Sequence, residues 1–547
     1  MVFDLVIQNG EVIDGTGKPR FQADLGLRNG KIEAIAAVGT LQGKETLDAK
    51  GRMVAPGFID IHSHFDWILP LSHHDKILAP MVLQGITTMV TGNCGSSPAP
   101  VTPLAKPLME AKLGSYGALS GEDYYRWESM GQYLDLLETN GMLLNAAFLV
   151  GHGTVRWAVM GGRAGAPDTN ELATMRQFTR QAIREGAHGF STGLGYAPGM
   201  FAANDEILNI LRTVVDEGGI YTVHGRAYSC LTPFYDLNTG MPHNRISNLE
   251  QLELARQSGV RLQLSHLIFH GRETWKTYPD VIRDVERAAS EGLDVAFDAF
   301  PYTYGNTSVN SNFPAWFLDG FSNNISNSAS LQRLSDMLEG RHAKIGKRYS
   351  DIILMWAPGP EMAEMEGLDF TSIADHLKMT EFEAYMHVAR ESRGTARILQ
   401  DTYSGDAHSE EPLRAILTHP LCHFMTDTLY MPRGKQNPAT FGTYPRLLGH
   451  YSRDLGLFSL EEVIRRMTSF PAERMGWRDL GRIAQGLWAD LVIFDSTTVA
   501  DNTTLKNSEE PPTGIEAVVI SGQLVARHGQ IVSNRRWGRM LRRRTTK

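Results

Sequence analysis

The stretch Pro56-Gly57-Phe58-Ile59-Asp60-Ile61-His62-Ser63-His64 decides how the chain is read. It is a short apolar run, of strand length, that ends in two histidines one residue apart. Side chains alternate along a strand with period two, so His62 and His64 leave it on one face and can grip one cation such as zinc, with bonds of about 2.0–2.1 Å. A lone His-x-His pair is a weak signal, and its context carries the reading. Similar apolar runs follow at 86–90, 146–150, 189–191, 220–223, 262–264, 295–297 and 423–425, and with 58–61 they make eight. Helical patterns separate most of them, as at 171–185, 248–258 and 279–291. Strand and helix in repeated alternation predict an α/β fold with a parallel sheet, and eight repeats predict a closed (β/α)8 TIM-like barrel.

Outward from this middle, both ends read as strands and turns. Residues 4–8 alternate into Asn9-Gly10, a hairpin signal, and the runs 23–27 and 31–35 flank a second such signal at Asn29-Gly30. Residues 490–495, 515–520 and 522–525 look the same. The termini are therefore expected to meet in one small β-sandwich domain, residues 1–56 and 480–547, with the barrel inserted as residues 57–479. One interval breaks the rhythm. Residues 305–420 are more chain than one barrel helix requires, and they predict a lid or insertion over the barrel mouth around 305–400.

Further ligand-type residues recur where these strands end. Cys94 stands among turn-forming residues in Gly92-Asn93-Cys94-Gly95, and a thiolate binds zinc well and can bridge two ions. His224 closes Tyr221-Thr222-Val223-His224, His266 closes Leu264-Ser265-His266, and Asp427 closes Met425-Thr426-Asp427. Five of the eight strands thus end in a metal-ligand or acid–base side chain, all directed to one barrel mouth, where barrel enzymes place their chemistry. Each residue is a weak sign, and the constellation is a strong one. Cys230 and Cys422 have no such setting and are read as inert.

Composition narrows the function classes. The chain has 547 residues, 42% hydrophobic and 21% charged, as expected of a globular protein large enough for a barrel and a smaller unit. Its net charge of -8 argues against nucleic-acid binding, which needs a basic surface. Three cysteines make no disulfide framework, no apolar stretch suggests a membrane span, and the N-terminus resembles a strand more than a signal peptide, so the cytoplasm is the expected location. The basic tail, with Arg535, Arg536, Arg539 and Arg542-Arg543-Arg544, is read as a solvated terminus.

These residues carry a family resemblance. The chain resembles the amidohydrolase superfamily, and within it the N-acyl-D-amino-acid deacylases, essentially from end to end. The matching motifs include Pro56 to His64, Gly85-Ile86-Thr87-Thr88, Gly92-Asn93-Cys94-Gly95, Gly151-His152-Gly153-Thr154, Ser191-Thr192-Gly193-Leu194-Gly195-Tyr196 and Gly442-Thr443-Tyr444-Pro445-Arg446. The resemblance implies a zinc ion held tightly by Cys94, His224 and His266, and a second, weaker position formed by His62, His64 and Asp427. Many superfamily members bridge their metals with a carbamylated lysine on the fourth strand. The segment Ala187-His188-Gly189-Phe190-Ser191 has none, which leaves Cys94 as the bridge. The implied activity is hydrolysis of an N-acyl amide bond of a small molecule by metal-activated water, with Asp427 accepting the water's proton and returning it to the leaving nitrogen.

The family's hold on the substrate carboxylate looks dismantled. Ile268 stands where a lysine is typical, Phe300 where the first tyrosine of a Tyr-Pro-Tyr motif is typical, and Ala439 where an arginine is typical. Burying a carboxylate without a cation is costly, so a less charged substrate is expected unless Arg226, Arg433, Lys435 or Arg446 restores the hold. His152, Arg226, Ile268, Phe300 and Tyr302 are the expected substrate-facing positions. Two other readings compete. A cyclic amide or imide hydrolase shares the barrel chemistry, but Cys94 in place of a bridging lysine weighs against it. A scaffold that has lost its metals is disfavoured by the complete set of ligand types.

Overall fold

The computed structural model describes residues 2–115, 124–236 and 239–543, and the following concerns those residues. The N-terminal part supplies Val2–Val12 (β1), Phe21–Arg28 (β2), Lys31–Ala36 (β3), Gln42–Asp48 (β4) and Met53–Pro56 (β5). Asn29-Gly30 is the tight turn between β2 and β3, with both residues at positive φ. Asn9-Gly10 is not the hairpin expected of it. β1 runs through it with a register shift between Ile7 and Gly10, and Asn9 has φ 60°. A Cβ on Gly10 would meet Val54 Cγ2 at 2.5 Å, so glycine lets β5 approach there. The two halves of β1 consequently take different parallel partners, β4 beside its first half and β5 beside its second.

From Phe58 onward the chain forms Phe58–Asp60 (β6), Ile86–Thr91 (β7), Asn145–Phe148 (β8), Val150–Gly151 (β9), Gly189–Gly193 (β10), Ile220–His224 (β11), Arg261–Leu264 (β12) and Val295–Ala299 (β13). After a long interval containing Gly305–Ser308 (β14), Ile352–Trp356 (β15) and Arg397–Gln400 (β16), the last of this series is Cys422–Phe424 (β17). Every one of the eight expected runs contains a strand. β6, β7 and β8 pair in parallel, and so do β9, β10, β11, β12, β13 and β17. Only Leu149 separates β8 from β9, so the two parallel sheets share one continuous stretch of chain. At the far side, the Asp427 N–H donates to the His62 carbonyl and the His64 N–H to the Thr428 carbonyl, both at 3.0 Å. The chain leaving β17 therefore lies beside the chain leaving β6. Helices such as Thr169–Arg184, Asn204–Asp216 and Tyr278–Ser290 connect the strands, their apolar stripes buried in one large core with Phe148, Phe190, Leu262 and Phe297.

The interval between β13 and β17 has a core of its own. β14, β16 and β15 form an antiparallel sheet, and Val309, Phe317, Leu354, Phe370, Tyr385 and Ile398 pack together against it. Beyond β17, Leu491–Phe494 (β18), Ile515–Ile520 (β19), Gln523–Arg527 (β20) and Gln530–Ile531 (β21) return to the N-terminal strands. β18 pairs with β5, so both chain ends share one nine-stranded mixed sheet, with Leu25, Leu27, Val54, Leu491 and Val519 among its core. No helix among the described residues is long and apolar enough to cross a membrane.

The basic tail does not hang in solvent. Its backbone pairs with the chain near β8: the Gly538 N–H donates to the Met142 carbonyl, and the Leu541 N–H to the Ala146 carbonyl, each at 2.8 Å. Its arginines meet carboxylates, Arg536 on Asp75, Arg539 on Asp490, and Arg542 on Asp135 and Glu138. Arg544 lies outside the described residues. A run of like charge is solvated by default, and here paired acids on the surface it crosses reverse that expectation. Asp490 is the centre of the join. It accepts both guanidinium ends of Arg539 (3.1 and 2.6 Å), the Asn145 amide (2.9 Å) and the Ser521 N–H (2.8 Å), while Arg539 lies over the Trp488 ring at 4.0 Å. Arg539→Ala is expected to strip a nearly buried carboxylate of its cation and destabilise the protein by about 2–4 kcal/mol. Chemical denaturation of the two proteins measures this, and an unchanged midpoint would show that the tail contributes nothing.

Candidate metal centre

Each potential ligand sits where a parallel strand gives way to a loop. His62 and His64 follow β6, Cys94 follows β7, His224 ends β11, His266 follows β12 and Asp427 follows β17. Three of them have left-handed backbone, Cys94 at φ 52°, His266 at φ 35° and Asp427 at φ 50°. A side-chain-bearing residue there costs of order 1–3 kcal/mol and persists only where its surroundings enforce it. The enforcement is visible for Cys94. Gly95 follows with φ +72°, and a Cβ on it would meet the Gly193 nitrogen at 2.6 Å. The Tyr196 hydroxyl donates to the Cys94 carbonyl at 2.7 Å, and the Gly95 N–H donates to Ser191 Oγ at 3.0 Å. His266 is held through its N–H, which donates to Asp298 Oδ1 at 2.6 Å.

The donor atoms converge. Cys94 Sγ lies 3.3 Å from His62 Nε2 and 3.4 Å from His266 Nε2, and His224 Nδ1 lies 2.9 Å from His266 Nε2. Asp427 Oδ1 lies 3.3 Å from His62 Nε2 and 3.2 Å from His64 Nε2. Three donor sets each fit within 4.8 Å: His62, His64 and Cys94; Cys94, His224 and His266; His62, His266 and Asp427. Cys94 belongs to two of them, and so stands between the β6 histidines and the β11 and β12 histidines. Around a tetrahedral cation with bonds of about 2.0–2.3 Å, donors lie roughly 3.3–3.7 Å from one another. Most of the spacings above are close to that edge length, so the residues fit a zinc-like ion.

The electrostatics fit as well. Burial opposes charge on Cys94, but the fields of His62 and His266 and the bonds from His224 and His266 hold its thiol well below the usual range. Burial likewise opposes ionised Asp427, and His62 and His266 overcome it and keep the carboxyl low. Conversely, Cys94, Asp427 and Asp298 outweigh the burial that disfavours a charged His62, which sits well above the usual imidazole range. A thiolate and a carboxylate together carry the two negative charges that neutralise a divalent cation.

All six ligand-type residues read from the sequence are brought together; of the substrate-facing set, Ile268, Phe300 and Tyr302 meet in or against one apolar cluster, while His152 and Arg226 are each engaged by a glutamate. His152 is buried in an ion triad, its Nε2 2.8 Å from Glu206 and Glu206 held also by both contacts of Arg156 Nη1 (2.9 and 2.7 Å). Arg226 is paired with Glu250 at 3.0 Å and donates to the Ala202 carbonyl at 2.6 Å. The Tyr302 hydroxyl donates to Asp501, with Arg446 over its ring at 5.0 Å. Phe300 and Ala439 share one apolar cluster with Ile61 and Met425, and Ile268 and Tyr403 pack against it.

Sequence reasoning missed three residues. Asp298 lies 3.3 Å from His62 Nδ1 in addition to holding the His266 N–H, and accepts from Gln263 at 2.9 Å. An acid inside the apolar run of β13 was the available signal. Tyr228 flanks both His224 (ring centroids 4.9 Å) and His266 (5.0 Å), and nothing in its sequence setting marks it. Lys112 donates to Ser96 Oγ at 2.7 Å; burial lowers its amine to about 8, against the fields of Asp66 and Cys94. Its helix carries no motif. Gly95→Ala is expected to force the Cys94 turn apart, lowering stability by about 1–3 kcal/mol. Denaturation midpoints test this, and a variant as stable as the wild type would remove Gly95 as the constraint on Cys94.

Comparison with known proteins adds a lineage. Residues 45–239 and 375–526 match the amidohydrolase family. The D-aminoacylase of Alcaligenes xylosoxydans xylosoxydans is 32% identical over 543 residues, covering 99% of this chain and 98% of its own. The crystal structure of N-acyl-D-glutamate deacylase from Bordetella bronchiseptica, complexed with zinc and a phosphonate mimic of the tetrahedral intermediate, superposes with a TM-score of 0.80 at 29% identity, covering 99% of this chain and 100% of that one. A D-aminoacylase described as having a binuclear metal centre, with one-metal activation and second-metal attenuation, gives the same TM-score, identity and coverage.

Proposed function

The chain belongs to the amidohydrolase family, and from that premise we propose that it is a zinc-dependent deacylase hydrolysing the N-acyl amide bond of a small molecule. The observation that carries this reading is the meeting of Cys94, His62, His64, His224, His266 and Asp427 in three donor sets that share members and each span no more than 4.8 Å. The architecture is read to match. The parallel strands form a closed (β/α)8 barrel of residues 57–479, a closure supported by the backbone bonds between the Asp427 and His62 segments. Residues 1–56 and 480–547 form the small β-sandwich, and 305–400 the insertion.

In this reading Cys94, His224 and His266 hold the tight ion, and His62, His64 and Asp427 contribute a weaker second position, Cys94 lying between the two. The relative with one-metal activation and second-metal attenuation supports that division. Bound zinc supplies Lewis acidity toward the scissile carbonyl and makes a water more acidic. The rest is done by the chain. Asp427, anionic through the fields of His62 and His266, takes the proton of the attacking water at a carboxylate oxygen and delivers it to the departing nitrogen. Asp298 orients His62 and His266 from behind, and Tyr228 fixes the planes of the His224 and His266 rings.

The apolar cluster speaks to the substrate. Phe300 and Ala439, with Ile268 packed against them, occupy positions where a carboxylate hold is typical, and Ile61 and Met425 of the same cluster neighbour His62 and Asp427 in sequence. Of the four side chains that could restore the hold, two are engaged elsewhere, Arg226 by Glu250 and Arg446 by Glu410 and Asp501, while Arg433 and Lys435 are exposed. An N-acyl amide less charged than an N-acyl-D-amino acid fits such a wall better, since an unpaired carboxylate there would lose its hydration without compensation.

Two experiments test these statements. Asp427→Asn is expected to retain the tight zinc, measured by metal analysis, while turnover falls by about 10²–10⁴-fold. Wild-type-like turnover would remove Asp427 from the reaction, and a chain that takes up no zinc at all would favour a scaffold. On a panel varying acyl length, charge and D/L configuration, kcat/KM should be higher for uncharged N-acyl amides than for N-acetyl-D-amino acids. A strong preference for the latter would end the argument from the apolar wall.

A further inference from the structure

Four basic side chains are packed together where the insertion meets the segment that leaves β12. His270 comes from that segment, four residues beyond His266, while Arg341, His342 and Lys347 come from the end of the helix Ser328–Ile345 and the turn after it. The contact is close. A Cβ on Gly271 would meet the Ile345 carbonyl at 2.4 Å, and the Lys347 N–H donates to the His342 carbonyl at 2.9 Å. Lys347 is 4% exposed and His342 is 5% exposed.

Their charges are not answered within the chain. The Lys347 ammonium donates to the Gln400 side-chain oxygen, a neutral acceptor, and Arg341 Nη2 donates to Asn312 Oδ1 at 3.2 Å, another neutral acceptor. Both ring nitrogens of His342, His270 Nε2, Arg341 Nε and the Tyr349 hydroxyl are buried without a partner. No ion pair joins any of the four basic residues to a carboxylate among the described residues. Asp351 is near Lys347, but Arg272 holds it with bonds of 2.9 and 3.0 Å, and Arg272 also engages Asp406. Asp401 turns instead to Thr303 and the Thr402 N–H. Buried cations are ordinarily paired, because an isolated one loses its hydration without compensation. Burial accordingly presses the Lys347 amine and the His342 and His270 rings far below their usual ranges; the Arg341 charge adds to this for all three, and Lys347 adds to it for the two rings.

We propose that His270, Arg341, His342 and Lys347 form a binding site for a small oxyanion, a carboxylate or phosphate-type group, that ties the insertion to the strand exit carrying His266. A guanidinium, an ammonium, two imidazoles and a phenol, with buried polar atoms left unpartnered or on neutral acceptors, can each donate to such a group, and an anion among them supplies the countercharge. The site is distinct from the metal centre. The His270 ring abuts Tyr403 (centroids 4.8 Å), Tyr403 abuts Phe300 (6.4 Å), and these two rings belong to the apolar cluster described above. On the other side, the His270 N–H donates to the carbonyl of Tyr228, the residue that flanks His224 and His266.

Thermal unfolding of the full-length, zinc-loaded protein tests this. Inorganic phosphate or acetate should raise the midpoint by about 2 °C or more over chloride at equal ionic strength, and Lys347→Met and His342→Leu should each abolish that difference. If Lys347→Met does not fold, His342→Leu decides alone. Anions acting at the zinc would leave the shift intact in both variants, which overturns the proposal. So does a wild type indifferent to the anion, including the case in which Lys347→Met is more stable in every buffer because the lysine is simply a neutral buried amine. Kinetics separates the sources of the anion. A KM about tenfold higher in Lys347→Met only for substrates with a second carboxylate assigns the ligand to the substrate. Unchanged KM values with a lost phosphate shift assign it to a free anion.

Discussion

The Cys94 thiol is buried and the Asp427 carboxyl part-buried, and ionising such groups away from water is costly unless cations surround them. The arrangement around them answers that cost. Four imidazoles approach from three strand exits, and the fields of His62 and His266 favour the charged form of both anions. Cys94, His266 and Asp427 adopt left-handed backbone to reach their positions. That strain is absorbed by neighbours which cannot yield, among them Gly95 against Gly193, Tyr196 on the Cys94 carbonyl and Asp298 on the His266 N–H. Neighbouring backbone and side chains thus fix the positions of these residues, the kind of preorganisation that catalysis uses.

Such rigidity has to be anchored at the opposite end of the strands too. There Asp490 gathers Arg539, Asn145 and the Ser521 N–H, joining the nine-stranded sheet, the tail and β8 at one buried carboxylate. The tail therefore works as a strap. Its arginines find acids on the surface they cross, so a segment whose composition suggests a solvated end becomes part of the packing. The insertion is built differently. It has its own sheet and core, and its junction with the rest contains the buried basic cluster instead of a purely apolar seam.

Chemistry and specificity occupy different parts of the same mouth. In the proposed reading every ligand-type residue has its place at the centre, whereas the expected substrate positions Ile268, Phe300 and Ala439 lie in or against an apolar cluster. On that reading amide hydrolysis depends on the first, and the second bears on what the leaving part of the substrate looks like. A lineage can therefore keep its reaction while changing its substrate, because the two demands fall on residues that do not coordinate the same atoms.

Strand positions and the ligand-type residues that meet at the centre were legible in the sequence because both rest on local rules. An apolar run with period-two alternation fixes which face His62 and His64 share, and a ligand-type residue after such a run marks a strand exit. Asn9-Gly10 misled for the same reason. A local signal for a turn is also a signal for a bulge, and only the approach of Val54 to Gly10 selects between them. Asp298, Tyr228 and Lys112 stayed hidden because their importance lies in what they touch across the fold, and Arg536 and Arg542 of the tail dock on acids 404 to 461 positions away in the chain. The sequence by itself determined the class of chemistry, through which residue types stand at strand ends. The family resemblance implied that Cys94 stands between two histidine pairs and that Asp427 joins His62 and His64, but only the tertiary structure supplies the contacts across 365 and 363 positions, since such distances follow from strand order and backbone handedness, which no local pattern records.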